Sequence, residues 1–120
     1  MNKISQLQNM TFNGLVRCDK IDLSHNRIVK MEPNSFYGLN SLTNLEMSYN
    51  FIEQIEKNVY IYLKNLPILS IKNNKIKFIK QGSFNRLTKL ASLYMQNNSI
   101  EYIESDSFSM LSSLAELSLQ

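Results

Sequence analysis

The chain has 120 residues, of which 43% are apolar and 19% charged, with a formal net charge of +3. This is the size of one ordinary domain and allows a substantial buried core. No stretch is long and apolar enough to span a membrane as a helix, and none has the layout of a secretory signal. One cysteine, Cys18, and one histidine, His25, exclude a disulfide framework or a zinc site within the chain.

Residues 1–17 set a pattern that the rest of the chain repeats. Met1-Asn2-Lys3-Ile4 is followed by Leu7, Phe12 and Leu15, and these phases return every 24 residues. The asparagine phase is Asn2, Asn26, Asn50, Asn74 and Asn98. An isoleucine follows two residues after each, as Ile4, Ile28, Ile52, Ile76 and Ile100, then Leu7, Met31, Ile55, Ile79 and Ile103. The aromatic phase is Phe12, Phe36, Tyr60, Phe84 and Phe108, with Leu15, Leu39, Leu63, Leu87 and Leu111 behind it. Full units cover 18–41, 42–65, 66–89 and 90–113, and 114–120 begins another. Each unit opens with three apolar positions, as in Leu66, Leu69 and Ile71, and Cys18 holds the first of these and is expected to be a small buried apolar group.

A fixed period of this length marks a solenoid, in which stacking closes a core that one unit cannot bury alone. Leu69-Ser70-Ile71 alternates apolar and polar residues, so one short strand per unit is expected, and the strands stack into a parallel sheet. After each strand the chain must turn inward, which leaves backbone groups where water is scarce. An asparagine amide, with two donors and an acceptor, answers that need, so the five asparagines are expected to form a buried ladder. The aromatic phase is expected to stack as a spine on the far side.

The unit Leu-x-x-Leu-x-Leu-x-x-Asn-x-Ile-x-x-Ile-x4-Phe-x-x-Leu resembles the leucine-rich repeat family in its 24-residue extracellular form. Phe12-Asn13-Gly14-Leu15 and Phe36-Tyr37-Gly38-Leu39 look most like Toll-like receptor ectodomains and related cell-surface proteins. The resemblance implies an α/β solenoid, a right-handed coil. Its short-stranded parallel sheet would line a concave face, with loops or short 3-10 turns on the convex face. It implies an extracellular or cell-surface location, with an intracellular one as the alternative. The family's cysteine-rich caps are missing, so 1–120 is expected to be one uncapped array, a fragment of a longer ectodomain.

Residues 1–56 carry a net charge of −1, 57–89 carry +8 without a single acid, and 90–120 carry −4. Lys72, Lys75, Lys77 and Lys80 are expected to line one rim of the coil, where an anionic partner could meet the basic middle unit. No aromatic platform is apparent beside these lysines, so no specific nucleic acid is expected. The outward positions of each strand vary from unit to unit, including Ser24, Ser48 and Ser70. Among them Asp22, His25, Glu46, Tyr49, Lys72, Tyr94 and Gln96 form the candidate concave binding surface, with the two tyrosines as anchors. Asn9-Met10-Thr11 and Asn97-Asn98-Ser99 are glycosylation sequons, although about two arise by chance at this composition.

A noncatalytic protein-binding module of a receptor or adhesion ectodomain, innate-immune by resemblance, accounts best for this pattern. No cofactor and no catalytic or metal residues are expected, because a phosphate loop, paired carboxylates at a cleft and a Cys-His pair are all missing. The alternative is a scaffold segment that self-associates head to tail through open ends.

Overall fold

A computed structural model describes residues 2–120; Met1, which the sequence places at the start of the first partial unit, lies outside the described residues. Nine short strands follow in chain order: β1 (Gln6–Leu7), β2 (Lys20–Asp22), β3 (Lys30–Met31), β4 (Asn44–Glu46), β5 (Ile68–Ser70), β6 (Phe78–Ile79), β7 (Ser92–Tyr94), β8 (Tyr102–Ile103) and β9 (Glu116–Ser118). The strands β2, β4, β5, β7 and β9 form one parallel sheet in that order, and each residue pairs with the one 24 positions on, as Ile21 with Leu45 and Leu45 with Leu69. The period in the sequence is therefore the register of the sheet. A second, narrower ribbon joins β1 to β3 and β6 to β8. The far side is built of hydrogen-bonded turns, and among the described residues there is no helix, hence none long enough to cross a membrane.

The core lies between sheet and turns. Leu45, Leu69 and Leu93 enter it from the strands, Met47, Ile71 and Met95 from the residue after the sheet, and Ile52, Ile76, Ile55 and Ile79 from the inward run. Each such side chain contributes about 1.5 to 3 kcal/mol relative to exposure. The rings of Phe12, Phe36, Tyr60, Phe84 and Phe108 stack at centroid spacings of 5.9, 5.8, 6.3 and 5.7 Å, the spine that the spacing predicts. Cys18 is half-buried, not buried, because among the described residues no rung covers it on the side where Cys18 covers Leu42, and its Sγ donates to the Lys20 carbonyl at 3.2 Å.

Asn26, Asn50 and Asn74 are buried and align in one row. Asn50 shows the bonding: Nδ2 donates to the carbonyls of Met47 and Ser48 in its own turn and of Leu23 in the rung before, while Oδ1 accepts the Ile28 N–H at 3.0 Å. Each asparagine thus bonds backward, toward the preceding rung. Asn98 is half-buried near one end, and Asn2, with no preceding rung in these residues, is exposed. A second polar row repeats one residue before the spine. The hydroxyls of Ser35, Ser83 and Ser107 donate to Leu7, Ile55 and Ile79 carbonyls, each 28 residues back.

The rung 42–65 departs from both rows. Val59 stands where the serine would, so no hydroxyl reaches the Met31 carbonyl. The backbone stitch also fails there. Glu32 and Glu104 accept the N–H groups of Asn9 and Gln81. At the corresponding place Pro33 has no N–H to offer Glu56, which accepts from Gln54 instead. The second ribbon is interrupted at the same joint: Gln54 bridges to Phe78, but no strand pairing joins it to Lys30–Met31. Val29, Lys30, Met31, Glu53 and Gln54 line an opening there.

Tyr60 completes the anomaly. Its ring is fully buried, its hydroxyl has no hydrogen-bond partner, and burial pushes its pKa up. A buried donor left unpaired costs about 1 to 3 kcal/mol. Tyr60→Phe, which restores the residue of the other four units, is expected to raise stability by about 1 to 2 kcal/mol. Urea unfolding reads this as a higher midpoint at unchanged slope; a lower midpoint would mean that the hydroxyl is satisfied.

Candidate ligand-binding surface

The outward residues of the five-stranded sheet and the turn that follows each strand make one continuous surface. The turn begins at His25, Tyr49, Asn73 and Asn97, all in the left-handed region, with φ of 55, 59, 53 and 58°. That conformation aims the next residue, the ladder asparagine, into the core. Asparagine and histidine tolerate it comparatively well, whereas tyrosine does so at a cost. Each of these residues is tied to the next rung through its N–H, as His25 to the Ser48 carbonyl and Tyr49 to that of Lys72. The strained backbone is thereby held in place.

The two aromatic residues at these positions face each other. His25 and Tyr49 stack at 4.4 Å with 9° between ring planes, and Tyr49 remains half exposed. Two residues further along, Lys75 Nζ lies 4.7 Å from the ring centre of the exposed Phe51. On the sheet face Lys72 Nζ lies 5.7 Å from the ring of Tyr94, whose hydroxyl donates to Glu116 at 2.8 Å. A shallow hollow lined by His25, Arg27, Tyr49 and Phe51 adjoins the stack, and a second brings Lys72 beside His25 and Tyr49. Aromatic rings and cations therefore alternate over four rungs, the platform not apparent in the sequence. Its signal was present as aromatic and basic residues sharing phases, His25 with Tyr49 and Arg27 with Phe51 and Lys75.

The other candidate residues fall around this platform. Asp22 is exposed, and the hydroxyl and N–H of Ser24 on its carboxylate hold its pKa below the ordinary value. Glu46 is half-buried and accepts the Ser48 N–H at 2.8 Å. Gln96 is half-buried and its Oε1 has no partner. Ser48 and Ser70, expected on the open face, are buried and share a 2.9 Å hydrogen bond, because small side chains are covered by the longer ones on neighbouring rungs. The four lysines do not share one rim. Lys72 and Lys75 sit by the platform, while Lys77 and Lys80 bracket β6 on the other ribbon, since the chain turns the corner between them. Asn9 and Asn97 are both exposed.

A leucine rich repeat profile matches residues 1–58 and 64–120. The chain belongs to the leucine-rich repeat family. This leucine-rich repeat array is also similar to a chain in a crystal structure of a TLR13-ssRNA13 complex, with 30% identity and a TM-score of 0.94 over 98% of its own length and 17% of that chain's. In all, 115 chains of known structure match it. No curated protein matches it at a significant level. The array is a receptor-like repeat module resembling a Toll-like receptor ectodomain.

Proposed function

We propose that the chain is a noncatalytic recognition module within a receptor ectodomain, and that its sheet face and adjoining turn bind a protein ligand. The observation that carries this is the His25–Tyr49 stack, two aromatic rings kept exposed, the tyrosine on strained backbone, with Lys72 in the hollow beside them and Lys75 over the neighbouring Phe51. Strain of this kind persists where the surroundings over-determine it, and it concentrates at functional sites. Rigid tyrosines ringed by charges are the usual anchors of protein interfaces. The mixed signs of Lys20, Asp22, Glu46, Lys72 and Glu116 on the sheet suit a protein partner better than a polyanion.

A second reading, single-stranded nucleic acid, is favoured by the alternation of rings and cations, since bases stack on such platforms while lysines meet the phosphates. The similarity to a receptor solved with ssRNA13 supports it as well. An extracellular or endosomal location and a role in innate recognition rest on the same likeness. Asn97 is exposed beside the platform, so a glycan on it would border the site.

Tyr49→Asn is the informative variant, because Asn73 and Asn97 already occupy its position and the fold is expected to survive. A partner selected from displayed extracellular proteins is expected to lose tenfold or more in affinity, about the effect of one anchor residue. Unchanged affinity would place the site elsewhere. Binding of an oligouridine RNA that is lost in the variant, with no protein captured by the parent chain, would favour the second reading.

A further inference from the structure

The back of the coil carries a second surface. Rungs 42–65, 66–89 and 90–113 form a depression of about 440 Å³ there, lined by Asn58, Ile61, Lys64, Asn85, Arg86 and Met110. Arg86 has a φ of 72° at the position where two other units place Gly14 and Gly38, with φ of 93 and 87°. An arginine in the left-handed region is strained, and the repeat already has a strain-free solution in glycine. The neighbourhood is built around it: Asn85 Nδ2 donates to Asn58 Oδ1 at 2.7 Å, and the stem of Lys57 lies across Gly82 so closely that a Cβ there would come within 2.8 Å of it.

We infer that this depression is a binding site for an acidic, partly apolar peptide segment of a partner protein. Lys64 and Arg86 line it, Lys57 lies nearby across Gly82, and the sequence carries no acid between residues 57 and 89. The floor is apolar, with Ile61 half-buried and Met110 47% exposed. Carboxylates of the ligand meet the arginine fork and the lysine, and its aliphatic side chains cover Ile61 and Met110. The Asn58 amino group and the Asn85 carbonyl oxygen, not used in their mutual bond, supply a donor and an acceptor to an extended backbone. A sulfated glycan or a nucleic acid offers nothing to the apolar floor, and this depression has no aromatic ring for a base. The surface is separate from the tyrosine platform and does not depend on it.

The test is fluorescence anisotropy of the 120-residue chain with a labelled eight-residue peptide of alternating glutamate and leucine, and with its glutamine-leucine counterpart. The acidic peptide is expected to bind and the neutral one to bind at least about fivefold more weakly. Arg86→Gly, which puts the repeat's own residue in place and relieves the strain, is expected to unfold at the same or higher urea concentration yet lose about fivefold in affinity. Lys64→Gln is expected to lose about threefold. Tyr49→Asn is expected to bind as the parent does. Parental affinity in both Arg86→Gly and Lys64→Gln, equal binding of the neutral peptide, a loss in Tyr49→Asn, or heparin displacing the peptide at equal charge concentration would each overturn the assignment.

Discussion

Asn74→Ala is expected to lower stability by about 3 to 5 kcal/mol, a large share of the 5 to 15 typical of a domain. The side chain is buried and makes four hydrogen bonds. Its Nδ2 donates to Met47, Ile71 and Lys72 carbonyls, each at 3.1 Å, and its Oδ1 accepts the Ile52 N–H at 3.0 Å. Alanine removes every partner at once. The Ile52 N–H and the Met47 and Ile71 carbonyls are then stranded between rungs that leave little room for water, at about 1 to 3 kcal/mol for each group left unpaired. Asn98→Ala provides the comparison within the same phase. Asn98 makes similar bonds, including one from the Ile76 N–H at 3.1 Å, but it is half-buried and solvent can replace part of what is lost. About half the effect is expected there. Urea unfolding of the two variants decides the matter, and equal losses would show that burial of the ladder does not set its worth.

The features that repeat were the legible ones. The ladder, the leucine phases and the aromatic spine occupy their expected places in the inner rungs because one period aligns like residues, whereas Asn2, Ile4, Leu15, Ile103 and Leu117 in the outer rungs are exposed for want of a covering neighbour among the described residues. The serine row is less legible because Thr11 and Val59 interrupt it, leaving serine in three of five units. What the sequence left open depends on pairs that do not repeat. Ser48 and Ser70 disappear from the surface because of the longer side chains beside them. Lys72 finds Tyr94 across 22 residues, an offset that no single phase reveals. The strain at Tyr49 and Arg86 shows only against the asparagines and glycines of the other units. A period predicts which residues are alike, whereas a binding surface is made from those that are not.

Phe84→Ala is expected to cost about 3 to 5 kcal/mol, and to do so locally. The ring is fully buried between Tyr60 at 6.3 Å and Phe108 at 5.7 Å, so its removal leaves a cavity that two flanking rings can only partly close. Phe12→Ala removes the same ring from the same phase where it is half-buried and stacks on one ring, Phe36, and about 1 to 2 kcal/mol is expected. In a solenoid each rung contacts only the next, so the damage should not reach the whole array equally. Amide exchange protection is expected to fall in residues 42–113, the rung of Phe84 and its two neighbours. The pairing of Gln6–Leu7 with Lys30–Met31 should keep its protection, since it lies beyond the joint that Pro33 and Val59 leave weakly stitched. Equal loss of protection at Lys30–Met31 would mean that all rungs open together, and a nearest-neighbour description of this coil would then be wrong.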